Sequence, residues 1–249
     1  MIELNSLSKK FGNFFAVKEL TLQVKPGEIF GFLGPNGAGK TTTIRMMAGL
    51  MKPTSGQILL CGIDVSREPE KAKAILGYIP DRPYLYEKLT GEEFLEFVAG
   101  LHHLKRGDGW QKRSAELLEI FDLSDWRREL IESYSHGMRQ RLSITAALLH
   151  RPQVLVVDEP VVGLDPKGTR LVKNLFRDLS QKGITIFLST HVLGIAEETC
   201  QRIGILNGGQ MIAMGTMDDL REQAKIADHR LEAIFLKLTE EETTESIAK

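Results

Sequence analysis

The most informative segment of the sequence is Gly34-Pro35-Asn36-Gly37-Ala38-Gly39-Lys40-Thr41, which matches the phosphate-loop pattern G-x-x-x-x-G-K-[ST]. An apolar run, residues 29–33, precedes the loop, and a helical pattern over 41–50 follows it. A phosphate loop requires this placement between a buried strand and a helix. The sequence therefore predicts that a nucleotide phosphate binds at the start of that helix.

The residue types in this loop each have a chemical role toward a polyphosphate. Glycines let successive backbone N–H groups turn inward around the phosphates, and the helix N-terminus adds the positive end of its dipole. Lys40 is expected to bridge to the terminal phosphates, and the Thr41 hydroxyl to bind Mg²⁺. The predicted nucleotide contacts from this region are Gly34, Pro35, Asn36, Gly37, Ala38, Gly39, Lys40, Thr41 and Thr42.

Two adjacent carboxylates, Asp158 and Glu159, form a second candidate site at the end of the apolar run 154–157. Successive residues of a strand point in opposite directions, so the two side chains are expected to differ in role. Asp158 can reach Mg²⁺ or its water shell, and Glu159 can orient or deprotonate an attacking water. Hydrolysis is favoured over simple binding on this basis. The sequence has no N/T-K-x-D segment for reading guanine, which favours ATP over GTP.

Apolar runs and helical patterns alternate along most of the chain. The runs 29–33, 154–157 and 184–188 are typical of strands buried on both faces of a parallel sheet. The helical patterns that follow them cover 41–50, 171–179 and 192–200. This alternation predicts an α/β fold with a mostly parallel sheet, whose ligands gather at the carboxyl ends of the strands.

Two further regions differ from this core. Residues from about 89 to 151 contain three helical patterns in a row, and we interpret them as a helical subdomain inserted into the α/β core. The stretch 202–214 predicts a hairpin, followed by Thr216 as a helix cap. A last helix would pack one face on the domain or contact a second subunit with it. The residues of that face are Leu231, Ile234, Phe235 and Leu238.

Composition limits the classes of protein to which this chain can belong. Its 249 residues are 42% hydrophobic and 26% charged, which excludes disorder or a coiled coil as a description of the whole chain. With 32 basic and 33 acidic residues the formal charge is −1, so no nucleic-acid partner is expected. Cys61 and Cys200 are too few for a disulfide framework. Because neither a secretory signal nor a run of about 18 apolar residues is found, we expect a soluble, cytoplasmic protein that reaches a membrane only through a partner.

Five segments together resemble the nucleotide-binding subunit of an ABC transporter. They are 34–41, 134–138 (Tyr-Ser-His-Gly-Met), Asp158-Glu159, 163–165 (Gly-Leu-Asp) and His191. The most specific is Ser135 to Arg141, which is similar to the signature of ABC ATPases and is not found in phosphate-loop proteins at large. The resemblance covers nearly the whole chain. It implies a phosphate-loop NTPase core with an antiparallel N-terminal β-subdomain, an ABC ATP-binding domain over 1–225, and a C-terminal helix and polar tail over 226–249.

The resemblance also implies roles for residues outside the phosphate loop. The signature residues expected to contact the γ-phosphate bound to a second subunit are Ser135, His136, Gly137 and Met138. Asp165 would lie in a loop that crosses the interface, and His191 would contact the γ-phosphate and help hold Glu159 and a water. Phe11 would stack on adenine with Val17 beneath it. Taken alone, the serine would be an ordinary helix cap, the histidine a structural residue and the phenylalanine a core residue.

Several positions depart from the family pattern. Asp81 stands where many members have glutamine, and its carboxylate can still bind Mg²⁺, with a shorter reach. Tyr134, His136 and Met138 replace the usual leucine, glycine and glutamine of the signature, and Val162 replaces a usual serine. These variants, together with the sequence of the last helix, are most similar to ATPases that pair with separate type-2 exporter membrane subunits.

The function implied is that of an ATP-hydrolysing subunit that energises a separate membrane permease, with ATP and Mg²⁺ as cofactors. Two subunits would pack head to tail, each ATP lying between Lys40 of one and Ser135 of the other. The pair would bind the permease at the inner face of the cell membrane, near 81–86.

Two alternatives are a soluble ABC ATPase with a regulatory or translation-related role, and a phosphoryl-transfer kinase. The first usually has two linked nucleotide domains or a coiled-coil or basic insertion, and the second an acceptor pocket; neither feature is evident in the sequence.

Overall fold

The computed structural model describes residues 1–226, 228 and 230–247, with side chains as far as residue 239. Within these residues the strands are Ile2–Phe11 (β1), Phe14–Val24 (β2), Ile29–Leu33 (β3), Ser55–Leu60 (β4), Ile63–Asp64 (β5), Leu76–Ile79 (β6), Val154–Asp158 (β7), Thr185–Ser189 (β8), Arg202–Asn207 (β9) and Gln210–Gly215 (β10). The helices are Lys40–Met47 (α1), Pro69–Ile75 (α2), Gly91–Leu101 (α3), Trp110–Ile120 (α4), His136–Leu148 (α5), Pro166–Gln181 (α6), Leu193–Thr199 (α7), Met217–Ala224 (α8) and Leu231–Ile247 (α9).

A six-stranded sheet in the order β10-β9-β3-β8-β7-β6 forms the core. Its neighbours pair in parallel from β9 to β6, and β10 runs antiparallel to β9 as the second strand of the predicted hairpin. Every residue of β3, β7 and β8 is buried, which explains why their sequences are largely apolar. The predicted α/β fold with a mostly parallel sheet is confirmed.

An antiparallel sheet in the order β2-β1-β4-β5 packs against this core. Its inward side chains, such as Ile2 and Leu22, are buried in one cluster with Phe30 and Phe187 of the core sheet and Met47 of α1. The antiparallel N-terminal β-subdomain is therefore confirmed. The hairpin formed by β1 and β2 projects its tip, residues 11–14, toward the phosphate loop.

Three helices, α3, α4 and α5, lie in the region predicted as a helical subdomain. The first of them begins at a capping box, in which Thr90 and Glu93 exchange hydrogen bonds. Buried side chains of this region, including Leu95 and Leu142, join one cluster with Leu155 of β7. The helices therefore share their hydrophobic core with the main sheet. The domain limits given above stay predictions.

The last two helices pack beside the β9–β10 hairpin. Thr216 caps α8 through a reciprocal pair of hydrogen bonds with Asp219, as its sequence position predicts. Leu231 and Ile234 of α9 are fully buried in a cluster with Leu220 of α8, so this helix packs on the domain. α9 continues to Ile247, and residues 248–249 of the predicted polar tail lie outside the described residues. No helix in the described part of the chain has the length and apolar character needed to cross a membrane.

Candidate active site

A cavity of about 480 Å³ opens where the phosphate loop, the carboxyl end of β7 and the β1–β2 hairpin meet. Its lining residues are Phe11, Phe14, Ala16, Asn36, Gly37, Gly39, Lys40, Thr41, Thr42, Asp81, Asp158, Glu159 and His191. Most of the side chains predicted around a nucleotide therefore face one cavity, although they come from distant parts of the chain. The cavity combines phosphate-binding, acidic and aromatic walls.

The phosphate loop adopts a backbone that only glycine accommodates easily at two of its positions. Gly37 and Gly39 have φ of +80° and +105°, in the left-handed region that disfavours other residues. A Cβ atom on Gly39 would lie 2.2 Å from the Ala16 carbonyl oxygen of the hairpin, so a side chain there would push the two segments apart. The glycines thus allow both the turn of the loop and the close approach of the hairpin.

Two backbone carbonyl groups of the phosphate loop hold the Lys40 side chain inside the loop. Its Nζ donates hydrogen bonds to the carbonyl oxygens of Gly34 (2.6 Å) and Pro35 (3.0 Å), and the residue is only 9% exposed. Burial lowers the pKa of Lys40, while the nearby charges of Glu159 and Asp158 act in the opposite direction. A third donor position on the ammonium can therefore serve a phosphate oxygen in the cavity.

Asp158 is the last residue of β7 and is almost fully buried. Its Oδ2 atom has no hydrogen-bond partner in the described part of the chain. Burial raises the pKa of Asp158, with the negative charges of Asp81 and Glu159, while the nearby hydroxyl groups of Ser189 and Thr41 act in the opposite direction. A buried carboxylate oxygen without a partner is costly unless a cation or a donor approaches it, so the site is suited to a bound cation.

Glu159 follows directly in a left-handed backbone conformation, with φ of +52°. This conformation is rare for a residue with a long side chain, and the N–H group of Glu159 donates to the Ser189 carbonyl oxygen of β8. The turn ends the strand geometry after Asp158, so both carboxylates line the cavity from different positions. The two side chains thus face one cavity and not opposite sides, and the difference in their roles stays a prediction.

A short hydrogen-bonded group holds the Glu159 carboxylate. Its Oε1 atom lies 2.8 Å from Nδ1 of His191, and its Oε2 accepts a hydrogen bond from Oγ1 of Thr190 at 3.3 Å. Glu159 is largely covered, whereas the His191 side chain is 60% exposed toward the cavity mouth. Sequence reasoning missed the contribution of Thr190, although its position directly before the candidate histidine could have suggested it.

The oxygen groups around Asp158 fit a magnesium ion. The Thr41 hydroxyl, the Asp158 carboxylate and the Asp81 carboxylate line the same cavity, and hard oxygen donors are the ligands that Mg²⁺ prefers. The unpartnered Asp158 Oδ2 is the observation that supports this fit. Among the described residues no group of three or more acidic, histidine or cysteine side chains could hold a metal without further ligands. Phosphate oxygens and water would have to complete the coordination.

The hairpin forms an aromatic wall that differs in part from the sequence prediction. Phe11 and Phe14 are cross-strand partners at the hairpin tip, are 49% and 64% exposed, and both line the cavity. Val17 does not line it, because this residue is fully buried in the core, whereas its neighbour Ala16 does. The reason is strand alternation, because Phe14 and Ala16 point to one face and Val17 to the other. Phe14 was missed, although the same alternation could have indicated it.

Not every residue of the phosphate loop lines the cavity, and the predicted nucleotide contacts of those that do not stay predictions. Gly34 and Pro35 do not line the cavity and instead give their carbonyl oxygens to Lys40. Ala38 is buried in the hydrophobic core between the sheet and α1. Asn36, Gly37, Gly39, Lys40, Thr41 and Thr42 are the loop residues that face the cavity.

The signature segment lies outside this cavity. Ser135 caps α5 through a hydrogen bond from the Met138 N–H group to its Oγ (3.3 Å), as the plain interpretation of its sequence predicts. The Met138 side chain is buried in the core, so only its backbone could contact a nucleotide. His136 packs against Gly163, where an added Cβ would lie 2.0 Å from the imidazole. Asp165 caps α6 by accepting a hydrogen bond from the Gly168 N–H group, and neither it nor the signature residues line the cavity.

Comparison with known proteins agrees with this arrangement of motifs. The family profile described as "ABC transporter" matches residues 17–162. The linearmycin resistance ATP-binding protein LnrL of Bacillus subtilis is 40% identical over 220 residues, which are 88% of this chain and 70% of LnrL. The probable multidrug ABC transporter ATP-binding protein YbhF of Escherichia coli is 40% identical over 241 residues, which are 96% of this chain and 41% of YbhF.

Solved structures show the same fold. An ATP-binding subunit of an ABC transporter superposes with a TM-score of 0.90 at 34% identity, covering 96% of this chain and 99% of that chain. The bacterial ABC transporter cassette MJ0796, solved as a dimer, superposes with a TM-score of 0.78 at 27% identity, covering 87% of this chain and 98% of that chain.

Proposed function

This chain belongs to the ABC transporter family and is an ATP-hydrolysing cassette, and from that premise we propose that it energises a separate membrane permease by hydrolysing Mg²⁺-ATP. The observation that carries the proposal is the meeting of Lys40, Asp158 and the Glu159–His191 pair in one cavity beside an aromatic wall. A phosphate loop alone would also suit a kinase. The paired Glu159 and His191 supply a group that can activate water, which favours hydrolysis.

Different residues of the chain bind the phosphates, activate the water and position the activating group. The loop N–H groups and Lys40 bind the phosphates, and the Lys40 ammonium balances negative charge that develops on them. Glu159 accepts a proton from water as the water oxygen attacks the γ-phosphorus and the bond to the ADP oxygen breaks. His191 and Thr190 hold the Glu159 carboxylate in place through the contacts described above. His191, exposed at the cavity mouth, can also contact the γ-phosphate.

Thr41, Asp158 and Asp81 are the residues that would hold the magnesium ion. The ion supplies charge neutralisation of the phosphates and orientation of the leaving group. Asp158 lies at the buried end of the cavity, and Asp81 would contribute its carboxylate from the loop after β6. In this proposal Asp81 takes a position that many family members fill with glutamine, and links the metal to the exposed loop that follows.

The second half of each ATP site is proposed to come from a second subunit. Ser135, His136 and Gly137 lie at the start of α5 but do not line the cavity of their own chain. A helix N-terminus with free N–H groups is well suited to a phosphate, so a partner's nucleotide would complete it. The dimeric structure of the related cassette supports this arrangement. Asp165 and its loop, adjacent to His136, would then lie at the interface.

Export is the proposed direction of transport. The printed names of LnrL and YbhF describe linearmycin resistance and a probable multidrug transporter, which are activities of those proteins. The permease is proposed to dock near Asp81 to Tyr86, where Tyr84 is 80% exposed and Tyr86 is 59% exposed. The Tyr86 ring is in edge contact with Phe97 of the helical region. The chain would then lie at the inner face of the cell membrane.

The experiment that tests this function is purification of the tagged chain from its native membrane, followed by ATPase measurement of the isolated complex. A membrane protein with about six spans should co-purify, and its removal should change the ATPase rate. A Lys40→Ala chain should still bind the permease but lack activity. A complex without any membrane protein, or phosphate transfer to a small molecule instead of water, would contradict the proposal.

A further inference from the structure

A second large cavity, of about 720 Å³, lies at the opposite edge of the core sheet from the candidate active site. Its walls come from the segments that enter β7 and β8, whereas the active-site residues follow β3, β7 and β8. A five-residue strand is about 16 Å long, so the length of the central strands separates the two cavities. Nothing in the proposed ATPase mechanism uses this second cavity.

The charged residues that line this cavity are all basic. Arg113 comes from α4, Arg151 from the segment after α5, and Lys182 from the end of α6. No aspartate or glutamate belongs to the lining, and none forms an ion pair with these three cations within the described residues. The remaining walls are largely apolar and include Leu179 and Ile184.

Arg113 is the most buried of the three cations, because Arg151 and Lys182 are exposed. Its Nε donates to the Leu148 carbonyl oxygen at 2.9 Å, and its terminal nitrogens have no acceptor in the part of the chain that is described. Burial lowers the pKa of Arg113 and the charge of Arg151 adds to this effect, while Glu116, one turn along α4, acts the other way. Because a guanidinium stays charged, a partly buried, repelled cation with free donors would be stabilised by an anion.

Helix dipoles explain only part of this charge pattern. Arg151 and Lys182 lie just after the C-termini of α5 and α6, where cations are favourable. Arg113 is in the first turn of α4, where the dipole disfavours a cation. Helix dipoles therefore leave the position of Arg113 unexplained.

We propose that this cavity binds a phosphate group carried on an apolar body. The three cations more than balance the two negative charges of a phosphate dianion, and the terminal nitrogens of Arg113 can donate two parallel hydrogen bonds to its oxygens. The apolar body would pack on Leu179, Pro152 and Ile184. The ligand is either a soluble organophosphate or the head group of an anionic phospholipid, which present the same chemistry to the cavity.

The test measures binding of butyl phosphate to the full chain by titration calorimetry, with saturating Mg²⁺-ADP present to occupy the phosphate loop. Vesicles of phosphatidylcholine with and without phosphatidic acid form the second arm. The variants are Arg113→Gln and Arg151→Gln, and Lys52→Gln is the matched control because this exposed lysine lies outside the cavity. Loss of the Arg113 hydrogen bond to α5 could itself impair folding. Arg151→Gln removes a cavity cation without breaking that bond.

Each arginine variant should weaken binding about tenfold, the usual effect of losing one charged hydrogen bond, while Lys52→Gln should leave it unchanged. Binding of butyl phosphate identifies a soluble organophosphate as sufficient. Binding only to vesicles that contain phosphatidic acid identifies the lipid head group. The proposal is overturned if neither probe binds, or if both arginine variants bind as well as the unmodified chain.

Discussion

The carboxylate of Glu159 lies 2.8 Å from the Nδ1 atom of His191, across the gap between the ends of β7 and β8. These strands are direct neighbours in the sheet, with Asp158 opposite Ser189. The pairing therefore positions two residues that are 32 positions apart in sequence. It places a proton acceptor and the group that orients it at one edge of the phosphate site.

Replacing Glu159 with glutamine should stop hydrolysis without preventing ATP binding. The amide keeps the size and one hydrogen-bond acceptor but cannot take a proton from water, so turnover should fall at least about 100-fold. Phosphate release and ATP affinity, measured on the same preparation, check this. The ATP-bound variant should also elute as a dimer in size-exclusion chromatography. Undiminished turnover would remove Glu159 from its role as base.

Replacing Lys40 with alanine should weaken ATP binding by about tenfold or more, because the polyphosphate loses its buried charge partner. The carbonyl oxygens of Gly34 and Pro35 would also lose their donor, so the loop itself could change. Lys40→Arg, which keeps the charge but not the shape, is the companion variant. Thermal unfolding of both variants separates loss of binding from loss of folding. Normal affinity and turnover in Lys40→Ala would contradict the assignment.

Replacing Phe14 with alanine should weaken ATP binding about tenfold, the usual effect of losing a stacking surface for a base. Affinity for inorganic tripolyphosphate, which has no base, should not change. Phe15→Ala is the matched control, because this neighbouring ring lies under Lys10 and does not line the cavity. Equal losses for ATP and tripolyphosphate would show that Phe14 supports the loop and does not contact the base.

Replacing Asp158 with asparagine should abolish hydrolysis while raising the stability of the nucleotide-free chain. Burial raises the pKa of Asp158, so the folded state disfavours its charge, and at neutral pH the ionised form costs stability. The neutral amide avoids this cost, and a gain of about 1 kcal/mol would raise Tm by roughly 2–4 °C. The gain should shrink as the pH falls, because the carboxyl then protonates. Thermal unfolding at several pH values checks the sign.

The stacked pair of His102 and His150 should make stability depend on pH below neutrality. Burial, and then the charge of His102, lower the pKa of His150 from 6.5 to about 4. The unfolded chain therefore takes up the proton first, and stability should fall as the pH decreases from about 6.5 to 4, by about 2 kcal/mol after allowance for partial exposure. His150→Gln should flatten this dependence in urea unfolding. An unchanged slope would show that other groups cause it.

The parts of the fold that could be predicted are those whose signal is local in sequence. The phosphate loop is one continuous segment, and the apolar runs that became β3, β7 and β8 are buried on both faces. The observed limits of most of these strands differ by one residue from the predicted ones. β8, for example, covers Thr185–Ser189, where 184–188 was predicted. The short strands β4 and β5 were not located, because six and two residues with mixed polarity leave no clear period.

The site could be predicted only as far as sequence order determines side-chain direction. Val17 stays a prediction: it does not line the cavity, and the side that it faces depends on the hairpin register, which is irregular between Leu7 and Lys10. Thr190 was missed because its hydrogen bond to Glu159 depends on how close the ends of β7 and β8 lie to each other. The proposed roles of Ser135 and His136 depend on contacts with a second subunit and not on contacts within one chain.

The position of the signature segment has a consequence for the rate law. Because Ser135 and its neighbours do not line the cavity of their own chain, the proposed two-subunit site would make the active species a pair that forms when two chains meet. At concentrations well below the dissociation constant of the pair, the hydrolysis rate should rise with the square of the protein concentration and not in proportion to it. A permease that binds two copies side by side would remove this dilution penalty, so assembly itself would act as the switch for activity.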